Sequence, residues 1–157
     1  MERYTVRITT GAVVEQDGKI LVVKELETKR YPNARVVINQ PGGHIEKDET
    51  VIEALIRETK EETGYSIEPT ELIGIYHVHF EKYDVIKFSF VAKLTSEKVT
   101  PIIEEDILEA VWMPIDELKN NKDQYRPAIA SGTFDDYFAG KRFSLETLHF
   151  FDNTRIS

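Results

Sequence analysis

The chain contains no cysteine. That excludes a disulfide framework, a cysteine-ligated zinc and a thiol nucleophile. Long apolar runs are missing too: none exceeds the four residues Ile20-Leu21-Val22-Val23, whereas a membrane-spanning helix needs about 20. The opening Met1-Glu2-Arg3-Tyr4 carries no apolar segment suited to a signal peptide, so a cytoplasmic location is expected. Basic residues are scarce. Twenty Lys and Arg face 28 Asp and Glu, for a net charge of −8. No basic footprint for a duplex or an RNA is visible, so neither nucleic acid nor membrane is an expected partner. Linkers, repeats and low-complexity stretches are absent as well. What remains is 157 residues, 41% hydrophobic and 31% charged. That is one domain's worth of ordinary globular composition, long enough to bury a core.

Residues 4 to 14 are rich in β-branched types and predict a strand. Gln16-Asp17-Gly18 is a turn signal, and Lys19 to Lys24 returns as a second strand of a hairpin. Glu25 to Arg35 is polar, contains Pro32, and predicts a loop. Val36-Val37-Ile38 predicts a short strand that stops at Asn39-Gln40-Pro41-Gly42-Gly43. Thr50 is an N-cap candidate, with Glu53 completing a capping box. The helix it opens runs to Thr63, where Gly64 suits the C′ position. Leu72 to Glu81 and Val85 to Leu94 predict two more strands, and Leu108 to Met113 another. Pro114 is expected at the first position of a helix, and Gln124 to Gly140 in one or two helices.

The acid is concentrated. Residues 41 to 65 hold seven acids against three bases, so this sixth of the chain carries half its net charge. At about 100° per residue, Glu58 and Glu62 continue the stripe begun by Val51 and Leu55, with Glu61 flanking it. Glu53, Arg57 and Lys60 fall on the opposite face, which is the natural solvated one. A charge run is ordinarily a solvated face. Glu58, Glu61 and Glu62 instead crowd the end of the core face, in the last turn, where the helix dipole disfavours them. On this reading no cation stands at helical spacing on their own side. A hard divalent cation relieves the repulsion and favours carboxylate oxygen.

These residues also carry a resemblance. Gly43-x5-Glu49-x7-Arg57-Glu58-Thr59-x-Glu61-Glu62-x-Gly64-Tyr65 resembles the Nudix box, G-x5-E-x7-R-E-U-x-E-E-x-G-U, where U is a bulky apolar residue. It departs only at Thr59, which replaces U. The resemblance implies an α/β fold, a mixed β-sheet sandwiched between α-helices, as a single domain over 1–157 with the box at 43–65. It implies Glu58, Glu61 and Glu62 as catalytic metal ligands for Mg²⁺ (or Mn²⁺), the Gly42 carbonyl as a further ligand, and Glu49–Arg57 as a structural ion pair. Asn39 to Glu46, Tyr125 to Ile129 and Asp136 to Leu145 are similar to segments of the phosphatase NudJ subfamily. That likeness implies hydrolysis of nucleoside di- and triphosphates, and of a thiamine-precursor pyrimidine diphosphate, with water attacking phosphorus and orthophosphate released. A small-molecule nucleotide is then the expected partner, and the protein is expected as a monomer or homodimer. An alternative is a pyrophosphohydrolase acting on a dinucleoside polyphosphate or nucleotide sugar. A nucleotide-sensing module is the non-enzymatic alternative, disfavoured because all three glutamates are present.

The base of the reaction is either a box glutamate or a carboxylate outside the box. Glu105 and Glu109 are the outside candidates for base or extra ligand, against the plain reading as solvated acids. Glu109 lies three residues before Trp112 and so faces oppositely along a strand. Gln40, His44 and His79 are candidate substrate contacts. His77 and His79 share a strand face, as a zinc pair would, but half-buried strand histidines are the commoner case and no third ligand is evident in the sequence. Tyr83 fits hairpin packing as well as a substrate contact.

Overall fold

In the computed structural model the described residues are 3–28, 33–101, 106–127 and 129–153. They form seven strands and three α-helices: β1 (Val6–Gln16), β2 (Lys19–Glu27), β3 (Arg35–Asn39), β4 (Gly42–His44), α1 (Val51–Thr63), β5 (Ile67–His79), β6 (Asp84–Leu94), β7 (Ile107–Pro114), α2 (Ile115–Asn120) and α3 (Ile129–Phe138). The main strand order is β3-β2-β1-β6-β5, with β4 also on β1 and β7 also on β2. Strand β1 runs parallel to β6, from Val6 opposite Asp84 to Val14 opposite Ala92. The other pairings are antiparallel, so the sheet is mixed.

The β1–β2 hairpin closes through Asp17 and Gly18, at φ 51° and 72°. Positive φ at both central residues matches the strand twist, and Asp-Gly accepts it at low cost.

Side chains alternate across this sheet and feed two cores. Ala12, Val14, Leu21, Leu72 and Phe90 pack on one side, against Leu55 of α1. Val13, Ile20, Val22 and Ile73 pack on the other, against Ala130, Phe134 and Tyr137 of α3. The period of two along each strand dictates this split, and it yields the expected sheet between helices.

Several boundaries differ from expectation. Strand β2 extends to Glu27 because β3 and β7 both pair along it. Strand β5 begins at Ile67, tolerating Pro69 beside a register shift between Pro69 and Glu71; a bulge accommodates the missing donor. The helix after β7 begins at Ile115. Pro114 caps it from outside, with an extended ψ of 139°. Between Gln124 and Gly140 the α-helix starts only at Ile129, after a 3-10 turn at Lys122–Gln124. Strand β4, unforeseen, pairs Gly42 and Gly43 with Gly11 and Thr10 of β1. No helix among the described residues is long and apolar enough to cross a membrane.

Candidate active site

Helix α1 forms where its end signals place it. The Thr50 hydroxyl accepts from the Glu53 N–H at 3.1 Å, while the Glu53 carboxylate accepts from the Thr50 N–H at 2.8 Å. Gly64 ends the helix at φ 78°, the left-handed conformation that glycine takes without a Cβ penalty. Val51, Leu55, Ile52 and Ile56 seat the helix on the sheet. Its C-terminal half therefore presents carboxylates where its N-terminal half presents aliphatic groups. Glu58 is 8% exposed and Glu62 5%.

Both carboxylates lie against the glycine loop. The Gly42 N–H donates to Glu62 Oε2 at 3.0 Å. Gly42 has φ 154°, and a Cβ there would stand 2.0 Å from the Thr10 carbonyl oxygen, so β4 presses directly on β1. At Gly43 a Cβ would stand 2.5 Å from Glu58 Cδ.

Glu61 is placed differently. Its Oε2 accepts from Arg57 Nη1 at 3.2 Å, and the same nitrogen donates to Glu58 Oε1 at 2.9 Å. The expectation that these acids have no cation on their own side is thus corrected. Arg57 starts on the other face, but its long stem folds over the turn to reach them. The rest of its guanidinium grips Glu49, with Nε–Oε1 at 2.6 Å and Nη2–Oε2 at 3.0 Å, and Nη2 also donates to the His44 carbonyl at 3.0 Å. These hydrogen bonds hold the Glu49 carboxyl below its ordinary range, against the opposing effect of burial. Hydrogen bonding by Glu49 likewise raises Arg57 above its ordinary range.

Glu58 and Glu62 open onto a cleft of about 620 Å³, which Glu61 does not line. Gly42, Gly43, His44, Glu58 and Glu62 line it, together with residues from the rest of the sheet. Lys87 of β6, only 3% exposed, donates to Gln40 Oε1. Gln40 Nε2 donates to the Ala130 carbonyl at 3.1 Å. Burial pushes the Lys87 ammonium down to about 7, although Glu25 and Glu62 pull the other way. Glu25 Oε2 accepts from Arg126 Nη1 at 2.9 Å. At the rim, the Arg7 guanidinium stacks 3.9 Å from the Tyr83 ring centre. Burial lowers the pKa of the His44 imidazole, and the cations of Arg7 and Arg126 add to that.

The residues singled out in the sequence are therefore only partly gathered. Gln40, His44, Glu58 and Glu62, with Gly42, share the cleft. Glu109 does not line it; half exposed, it pairs with Lys24 at 2.8 Å. Glu105 lies outside the described residues. His79 and His77 reach the same carboxylate, each 2.7 Å from Asp84, and neither lines the cleft. Tyr83 lines the cleft at its rim, and it packs 5.1 Å from Phe80 as a hairpin residue would.

Among the described residues, no three His, Asp or Glu side chains close around one point. The donor set nevertheless fits a hard divalent cation. Two buried carboxylates sit side by side on one helix, and ions such as Mg²⁺ take one or two carboxylates and leave positions for water and substrate phosphate. Four further residues of the cleft, Glu25, Arg7, Lys87 and Arg126, lie outside the box motif. Lys87 is marked in the sequence, as a lone Lys inside the strand pattern Val85-Ile86-Lys87-Phe88.

Comparison with known proteins identifies the family. The NUDIX domain model matches residues 5–131. Phosphatase NudJ of Escherichia coli is 32% identical over 142 residues, covering 90% of this chain and 89% of that protein. A NUDIX hydrolase from Nitrosomonas europaea superposes with a TM-score of 0.84 at 34% identity, covering 96% of this chain and 100% of that one. A MutT protein from Methanosarcina mazei shares the fold, with a TM-score of 0.68 at 18% identity, over 90% of this chain and 99% of that one. The chain belongs to the Nudix hydrolase family, phosphohydrolases that act on pyrophosphate bonds and generally need divalent metal ions.

Proposed function

We propose that this chain hydrolyses nucleoside di- and triphosphates and releases orthophosphate, with Mg²⁺ or Mn²⁺ as cofactor and residues 1–157 acting as one domain. Glu58 and Glu62 would hold the cation, with Glu61 supplied by the same turn and the Gly42 carbonyl beside them. When bound, the cation neutralises phosphate oxygens that otherwise repel a nucleophile. The attacking water forms a new bond to phosphorus as the anhydride P–O bond breaks. Its proton passes to a cleft carboxylate. The Glu49–Arg57 pair keeps the loop and helix in register and so orients the acids.

The observation that carries this reading is the placement of Glu58 and Glu62, nearly buried yet lining one open cleft. Carboxylate oxygens facing such a cleft suit a hard divalent cation that keeps positions open for water and substrate phosphate. The choice of orthophosphate as product draws on the relative named as a phosphatase.

Incubation with nucleoside di- and triphosphates and Mg²⁺, with free phosphate and pyrophosphate measured separately, tests the proposal. Orthophosphate release, abolished by Glu62→Gln, is expected. Pyrophosphate as the sole inorganic product would replace it with cleavage between the α and β phosphates. No turnover of any nucleotide would overturn it.

A further inference from the structure

Two cations in the cleft lie outside the box, and both are expensive to keep there. Lys87 is buried on strand β6, between β1 and β5, and its one hydrogen-bond partner shown is the neutral carboxamide of Gln40. Room for it depends on Gly11: a Cβ there would stand 2.7 Å from Lys87 Cε. Arg126 is the second. Its Nη1 is paired with Glu25 at 2.9 Å, but its Nε is buried without a hydrogen-bond partner. The charges of Arg126, Glu25 and Glu62 all act on Lys87, so the four side chains form one electrostatic group. A buried ammonium whose acceptor is neutral, beside a buried guanidinium nitrogen with none, is unfavourable in the absence of a ligand.

We propose that Lys87 and Arg126 bind a phosphoryl group of the substrate directly, as a phosphate-binding pair within the carboxylate-lined cleft. The chemistry suits the two residue types. Lysine serves as a compact charge with several donors, and arginine offers its remaining N–H groups in a fixed fork. Gln40, anchored on Ala130, sets the direction of the Lys87 ammonium, and Glu25 sets that of Arg126. The cleft then meets a polyphosphate with two kinds of group: the carboxylates of α1 that would hold the metal ion, and the basic side chains of β6 and of the segment before α3. This inference rests on the proposed nucleotide chemistry of the cleft and adds the residues that hold the anion.

The test is calorimetric binding of a non-hydrolysable methylene-bridged nucleoside diphosphate to the whole chain with Mg²⁺, alongside thermal melts. Lys87→Met and Arg126→Gln should each weaken binding about 10- to 100-fold with the fold intact. If both neutral variants bind as tightly as the native chain, the pair is structural and the proposal is overturned. Failure of the native chain to bind the analogue at all would overturn the nucleotide reading itself, which separates the two failures. Should Lys87→Met not fold, Arg126→Gln decides by the same criterion.

Discussion

Gly43 and Glu58 are in contact through an absent side chain: a Cβ on Gly43 would stand 2.5 Å from Glu58 Cδ. The loop and the helix approach this closely because β4 is pinned to β1 and the Gly42 N–H reaches Glu62. Gly43→Ala must therefore push Glu58 aside. A displacement of that size is expected to lower kcat by about 100-fold while the melting temperature changes little. Steady-state kinetics beside a thermal melt checks this.

The fork between Arg57 and Glu49 needs a planar guanidinium. Arg57→Lys keeps the charge but cannot make the paired contacts at 2.6 and 3.0 Å together with that to the His44 carbonyl. Glu49→Gln removes the charge and keeps the shape. Each change is expected to destabilise the fold by about 1–3 kcal/mol and to lower activity. Because the two residues share one interaction, the double variant should lose less than the sum of the single losses. Denaturant unfolding of the four proteins gives the coupling.

Thr59 is the single departure from the box, and it is fully buried with its Oγ1 unpartnered. Thr59→Val removes the hydroxyl and keeps the volume. It is expected to stabilise the protein by about 1 kcal/mol, which in a chain of this size raises Tm by about 2–4 °C. Calorimetric melting is the measurement.

Asp136 of α3 joins the far side of the sheet, accepting from the Tyr76 hydroxyl at 2.8 Å and pairing with Lys141 at 2.7 Å. The hydrogen bond from Lys141 holds its carboxyl below the ordinary range, Tyr76 adds to this, and burial opposes it. The folded form thus prefers the ionised acid. Its contribution to stability is present above the unfolded value near 4 and is lost as pH falls through the depressed folded value. Asp136→Asn is expected to cost about 1 kcal/mol at neutral pH and to flatten that part of the acid limb. Unfolding curves at several pH values show whether it does.

Much of this molecule is legible in its sequence where local chemistry decides structure. The limits of α1 follow from the Thr50–Glu53 box and from Gly64, and the hairpin from Asp17-Gly18. The burial of Glu58 and Glu62 follows from helical periodicity. The rest depends on reach and on tertiary placement. No wheel shows Arg57 folding back to Glu58 and Glu61, because a long flexible stem is not bound to the face where it begins. Strand β4 is Gly-Gly-His, a segment with no hydrophobic pattern, paired only because β1 offers it a partner. Lys87 reads as an interruption of an apolar strand until Gln40, Gly11 and Arg126 are seen around it.

The most direct measurement is titration of Mn²⁺ into the native chain and into Glu58→Gln and Glu62→Gln, followed by calorimetry, with circular dichroism to confirm folding. Saturable binding by the native chain, weakened at least about 10-fold in both folded variants, is the expected result. Equal binding by all three proteins, or none by the native chain even with a nucleoside diphosphate present, would contradict the role assigned to the two buried carboxylates.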